Sequence, residues 1–240
     1  MHVFKPTKFF GNPGWPFIFN ATLIELGIGI IFFIVYGGAD YITSHHSLRI
    51  PVHFAFETAI PRWPAMTLIY VSLFPAFLLA KFIIRDKEGF KALAWTLVLA
   101  TIVAGIFFLI LPAETAYPRT TVRSIWEPLY NLADAANLTY NLVPSLHVTY
   151  TCILSAAFKQ YAHGWLFKLL WLWPITMVFA TVLTHQHHIL DVISGIALAA
   201  VMHRSVMVSY LVRRPTLLIC KLLRLEEQSK VFTNKIMRAW

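Results

Sequence analysis

Residues 92–111 read ALAWTLVLATIVAGIFFLIL, a stretch without one charged side chain. It has the length, about 20 residues, that an α-helix needs to cross the hydrocarbon core of a bilayer. Working outward from it, further apolar runs occupy 17–36, 65–84, 145–158, 165–183 and 189–211. The run at 145–158 is short and rich in Ser and Thr, the weakest of the set. The pattern predicts an all-α integral membrane protein, a bundle of about six transmembrane helices. One membrane domain is expected over residues 1–211, with its core at 65–211. A basic amphipathic tail at 212–240 is expected to lie on the inner leaflet.

The composition excludes an ordinary soluble domain. Of the 240 residues, 58% are hydrophobic and 13% charged, against about 45–50% and about 25% in soluble proteins. The net charge of +9 would suit nucleic acid, yet the Lys and Arg residues gather in short segments between spans, so no nucleic-acid partner is expected. Cys152 and Cys220 fall in or beside apolar runs and read as small buried hydrophobes rather than a disulfide. No cleavable signal peptide is expected, because the first run is too long and no small-residue site follows it. Glu25 lies inside that run and calls for a structural partner or a route to the interface.

The connector 37–64 carries Asp40, His45, His46, Arg49, His53, Glu57 and Arg62 among short apolar groups. It is expected to lie along the surface in the manner of a lid, and its histidines show no metal-ligand spacing. The basic segments are the N-terminus, 85–91, 159–168 and the tail. Six spans place all of them on one side, which the positive-inside rule makes cytoplasmic. Both termini are then cytoplasmic, in what is expected to be a bacterial inner membrane.

That topology sends two polar motifs to the opposite, extracytoplasmic side. The first is Asn141-Leu142-Val143-Pro144-Ser145-Leu146-His147-Val148, where a long polar loop meets the fourth run. The second is His185-Gln186-His187-His188-Ile189-Leu190-Asp191, ahead of the sixth. His187 and Asp191 are four apart, so they should share a helix face. There the carboxylate holds one ring nitrogen and leaves the other as nucleophile or base. Pro144 suits a first helical turn, whose free N–H groups, with the Ser145 hydroxyl, would bind an oxyanion. His147 on the same turn would protonate a leaving oxygen. Arg119 and Arg123 lie in the same outward loop and would supply the fork that matches phosphate oxygens.

These residues resemble the type-2 phosphatidic acid phosphatase superfamily of six-helix membrane enzymes. Pro144-Ser145-Leu146-His147 matches its second motif, Pro-Ser-x-His, in full. Of the third motif, Ser-Arg-x5-His-x3-Asp, His187 and Asp191 match, while Ala180 and Thr181 stand at the Ser-Arg positions. Of the first motif, Lys-x6-Arg-Pro, Arg119 matches, with Pro112 at the lysine and Thr120 at the proline position. The resemblance implies His187 as the nucleophile of a phosphohistidine intermediate and Asp191 as its orienting group. It implies His147 as acid and base, Ser145 and Arg119 as ligands of phosphate oxygens, and no metal or other cofactor. Arg123, His185, Gln186 or His188 would stand in for the missing cations. The expected substrate is a membrane lipid phosphate hydrolysed by water, with a lipid phosphotransferase using an alcohol acceptor as the rival enzyme. A third reading is a transporter or scaffold on the same fold. A divalent metal held by His185, His187, His188 and Asp191 is the alternative chemistry. Oligomeric state is not legible.

Overall fold

The computed structural model describes residues 8–117 and 123–204. The basic tail, Cys220 and Arg119 therefore lie outside the described residues.

The described residues are helical throughout apart from turns and one isolated bridge. Helix α1 is Trp15–Ser44, α2 Thr67–Val71, α3 Leu73–Ile83, α4 Lys87–Ile110, α5 Glu127–Ala136, α6 Leu146–Lys159 and α7 Gly164–Leu183; α8 covers 189–204 and reaches the edge of the described chain. Four elements, Trp15–Ser44, Pro64–Ile83, Lys87–Ile110 and Gly164–Leu183, are long and apolar enough to cross a membrane. With the sidedness of its apolar surface, this defines an all-α membrane protein: Phe33, Ile34, Leu78, Trp95, Ile106 and Trp165 are among the large side chains on the outside, where lipid would cover them.

Local chemistry explains two irregularities. Pro75 has no N–H to give Val71, and its ring crowds that carbonyl, so the element 64–83 breaks at Ser72 into α2 and α3. The Ser72 hydroxyl accepts from the Trp173 indole on α7 (2.9 Å), tying the kink to its neighbour. In α7, Pro174 leaves the Leu170 carbonyl without its helical donor. The Ser155 hydroxyl of α6 supplies one in its place, as an apolar environment demands.

Glu25 finds its partner in Lys81 of α3, both side chains mostly buried. Helix α1 packs on α4 and α3, and α6 on α7, α4 and α3. At one end of the bundle, Gly11 N donates to Phe82 O (3.0 Å) and Arg85 to Lys8 O (2.8 Å). Tyr161 donates to Asp86 there too. At the other end, Tyr140 N donates to Asp40 at the end of α1 (2.9 Å), and Ile50 bridges to Ala113 after α4.

The segment 45–64 covers that second end; the connector expected at 37–64 is shorter, because the first helix runs past residue 36 to Ser44 and takes residues 37–44 with it. A short 3-10 turn, Ala55–Ala59, holds Glu57 inward with no exposed surface, and Trp63 N donates to Leu183 O (2.7 Å). Within the loop expected at 112–140 stands one full helix, α5. Its Tyr130 and Ala133, three apart, are buried against the bundle, a one-sided pattern too short to be read from the sequence alone.

Candidate active site

Helix α7 ends in a Schellman turn. His185 N donates to Val182 O (3.0 Å) and Gln186 N to Thr181 O (3.1 Å), the paired bonds of that motif. The residue after the cap is usually glycine; here His185 adopts φ 60°, at a cost of about 1–2 kcal/mol for a residue with a Cβ. Its side chain offsets that cost. The ring stacks on Tyr117 at 4.0 Å, Nε2–H donates to Ile60 O (2.9 Å), and Nδ1 accepts from Arg62 Nε (3.2 Å).

The turn delivers His187 just ahead of α8. The sequence suggests that His187 and Asp191 share a helix face; instead His187 precedes the helix, and the cap brings the two together. Asp191 Oδ2 reaches back to His188 N (2.8 Å) as the acidic half of a capping box. The same oxygen faces His187 Nδ1 at 3.3 Å, a long contact for an N–H donor. A second carboxylate completes the cap: Glu57 Oε2 accepts from Ile189 N (3.0 Å) and from His188 Nδ1 (2.9 Å). Two anions at one helix N-terminus also suit its dipole. His188 Nε2 accepts from Ala116 N (3.1 Å), so the proton sits on Nδ1 and the ring is neutral. Burial lowers the pKa of His188, and Glu57 only partly restores it. Burial raises Glu57, but the N–H groups of Phe54 and Ile189 with His188 outweigh it and hold the carboxyl below its usual 4.5.

Helix α6 arrives beside α8 by close backbone approach. Ser145 N donates to Asp191 O (2.9 Å), and Thr149 Oγ1 lies 3.0 Å from Gly195 O. A Cβ on Gly195 would stand 2.7 Å from Ser145 O, so only glycine permits this contact. Pro144 stands one residue before the cap rather than in the first turn. The Ser145 hydroxyl, expected to face an oxyanion, accepts from Val148 N (3.4 Å) as the cap of α6, and the residue is fully buried.

His147 follows, its ring centroid 6.1 Å from that of His187. The ring stacks on Tyr70 at 3.9 Å, with Nδ1 3.0 Å from Tyr70 Oη. Tyr70 gives its proton to Asn137 Oδ1 (2.8 Å), Asn137 donates to Gln186 Oε1 (2.5 Å), and Gln186 donates to Asp134 Oδ1 (3.1 Å). Every donor in this chain points the same way, toward a carboxylate. Tyr70 oxygen then accepts from His147 Nδ1–H, and the lone pair falls on Nε2, which is buried without a hydrogen bond among the described residues.

A cavity of about 560 Å³ opens at His187. Its wall includes Arg62, Tyr117, Asp134, Asn137, Asn141 and Gln186. His147, Ser145, Asp191 and the exposed Arg123 are not among its lining residues. Among the described residues, no three His, Cys, Asp or Glu side chains group as metal ligands.

Tyr70, Asn137, Asp134, Glu57 and Arg62 escaped the motif reading. Each comes from a segment remote from the motifs, and only the clustering of charge in 37–64 hinted at two of them.

A bundle of apolar helices carrying two adjacent histidines and a buried aspartate under one of them defines a membrane protein with a site for acid–base or nucleophilic chemistry. The chain belongs to the PAP2 superfamily, whose model matches residues 42–205. That membership supports a phosphatase or phosphotransferase type of activity. No curated protein matches the chain significantly.

Proposed function

We propose that this chain hydrolyses a phosphomonoester or diphosphate of a membrane lipid through a phosphohistidine on His187. The observation that carries the reading is the pairing of His147 and His187 at 6.1 Å with Asp191 beneath His187. Asp191 holds Nδ1–H and leaves the Nε2 lone pair to attack phosphorus. As the N–P bond forms, the P–O bond to the lipid breaks, and the positive imidazolium is stabilised by the carboxylate below it. The Nε2 lone pair of His147 takes a proton from the acidic oxygen of the incoming phosphate group and gives it to the leaving oxygen. It then takes one from water, whose oxygen attacks phosphorus and frees His187. Arg119, in the reading from the family motif, holds a phosphate oxygen, and Ser145 supports the turn that carries His147.

The six-span arrangement, with both termini cytoplasmic and the site extracytoplasmic, belongs to the same proposal. The volume and amide-rich wall of the cavity favour a second reading, in which an alcohol takes the place of water as acceptor. Purified protein offered a panel of lipid phosphates, with and without free alcohols, separates the two. Phosphate release is expected to persist in excess EDTA, since the bond-making groups proposed are side chains. Asp191→Asn is expected to lose most of it. His147→Ala is expected to accumulate an acid-labile, base-stable phosphoenzyme on a substrate with a good leaving group. Activity abolished by EDTA and restored by zinc would overturn the covalent mechanism.

A further inference from the structure

The family's third motif carries an arginine six residues before the histidine, and here that position is Thr181. The structure leaves it no route to a ligand. Thr181 is fully buried, its hydroxyl donates to Val178 O (2.9 Å), and its carbonyl takes Gln186 N and His187 N (3.1 Å each). The polar neighbours on the turn are equally committed. Both ring nitrogens of His185 are engaged, by Ile60 O and Arg62. Those of His188 meet Ala116 N and Glu57, and Gln186 donates to Asp134 while accepting from Asn137. None of the three is placed to grip an anion in the cavity without breaking those bonds.

Arg62 comes to this turn from another part of the chain. The covering segment lays it over the end of α7, where Trp63 N holds Leu183 O at 2.7 Å. Arg62 Nε donates to His185 Nδ1 at 3.2 Å, and its guanidinium carbon lies 5.6 Å from the Tyr130 ring centre. These contacts fix the plane of the guanidinium at the wall of the cavity that also holds His187. Among the described residues of that wall it is the one with a permanent positive charge. Burial, with Arg62 and His188 nearby, lowers the pKa of His185 despite its bond to Ile60 O, so the neutral ring remains an acceptor for Arg62 at neutral pH.

We propose that Arg62 is an anion-binding residue of this site, gripping oxygens of the substrate phosphoryl group in place of the arginine that Thr181 replaces. The cation of the third motif has moved from α7 to the cover of the site, and His185 is its positioning residue. The left-handed backbone at His185 then has a reason, because glycine there would lose the acceptor that orients Arg62. The inference rests on the proposed phosphoryl chemistry only for its reacting partner; anion binding by Arg62 can be measured without turnover.

The test uses the full chain in detergent, with orthovanadate and inorganic phosphate as probes and phosphate release from lipid phosphates as the second readout. Removing a preorganised donor from such a site costs about 10²–10³ in rate. Arg62→Gln is therefore expected to lower kcat/KM about 100-fold and to weaken orthovanadate binding at least tenfold, with the melting temperature little changed. Arg62→Lys, which keeps the charge without the fork, is expected to fall between. Arg62→Ala is expected to regain activity with added guanidinium, a recovery that a merely structural arginine would not give. Should Arg62→Gln fail to fold, the lysine variant and the guanidinium rescue decide the matter. Wild-type affinity for orthovanadate and wild-type kcat/KM in a folded Arg62→Gln overturn the assignment while leaving the proposed function standing. Orthovanadate binding that depends on Arg62 in a protein that releases phosphate from no lipid sinks the proposed function and leaves the anion site intact.

Discussion

At the scale of single residues, the acid–base group of the proposed reaction is tuned from far along the chain. Tyr70 offers His147 an acceptor because Asn137, Gln186 and finally Asp134 draw its proton the other way. Tyr70→Phe removes that acceptor and frees the imidazole to change tautomer. One hydrogen bond is worth about 1 kcal/mol, so a fall in kcat of about fivefold to tenfold is expected, with KM nearly constant. Steady-state kinetics on a lipid phosphate checks it, and an unchanged kcat would show that stacking alone orients the ring. The motif spacing made Ser145, His147, His187 and Asp191 legible, and the structure gathers them within one turn of two helices. Their partners were illegible for a physical reason. Tyr70, Glu57 and Arg62 act across separations of many tens of residues, and nothing local to a tyrosine in an apolar run announces which histidine it will meet. For Glu25 the sequence leaves open a partner or a route to the interface, since a lone carboxylate in a span is costly, and the structure supplies the partner, Lys81.

At the scale of elements, the segment 45–64 is fastened to the site by ionisable groups whose protonation favours release. Glu57 sits below its ordinary 4.5, and His188 and His185 sit below theirs of 6.5. The folded state therefore binds fewer protons than the unfolded chain, and stability falls as pH drops. The two histidines contribute the loss that begins below about 6.5, and Glu57 adds its own below about 4.5. Charging His188 would also cost it the hydrogen bond from Ala116 N. Limited proteolysis of the 45–64 segment is expected to speed up as pH falls from 7 to 5, well before the apolar bundle melts. Equal cleavage rates at both values would mean that backbone contacts such as Trp63 N to Leu183 O hold the segment unaided. The sequence shows a cover at 37–64, from charge and short apolar groups, but neither the continuation of α1 to Ser44 nor the latch. A buried glutamate capping a helix more than a hundred residues away leaves no periodic signal.

At the scale of the molecule, the direction of each helix follows from which end of the bundle its contacts occupy. The end of α1 meets Tyr140 near the site, and the end of α4 leads to Ala113 and Ala116, also near it. The end of α7 leads to His185. Helices α3 and α6 run the other way, toward Phe82, Asp86 and Tyr161, and α8 leaves the site in the same sense. Helix α6 has 14 residues, about 21 Å at 1.5 Å per residue, against a hydrocarbon core of about 30 Å. It escapes a length criterion, yet it must connect the site end to the far end, because α7 starts there and returns. The cover 45–64 and the loop holding α5 close over the site end, where Trp63 N donates to Leu183 O and the Tyr130 hydroxyl to Thr184 O. The far end carries Lys8, Arg85, Lys87 and Lys91, and under the positive-inside rule the proposed topology puts that end in the cytoplasm. Single cysteines in a chain with Cys152→Ala and Cys220→Ala test this. Ile125→Cys, at a position 88% exposed in the loop before α5, is expected to react with a membrane-impermeant maleimide on intact cells. Glu88→Cys, in the first turn of α4, is expected to react only after permeabilisation. Labelling of both from outside, or of neither, would break the alternation of helices and with it the extracytoplasmic placement of the site.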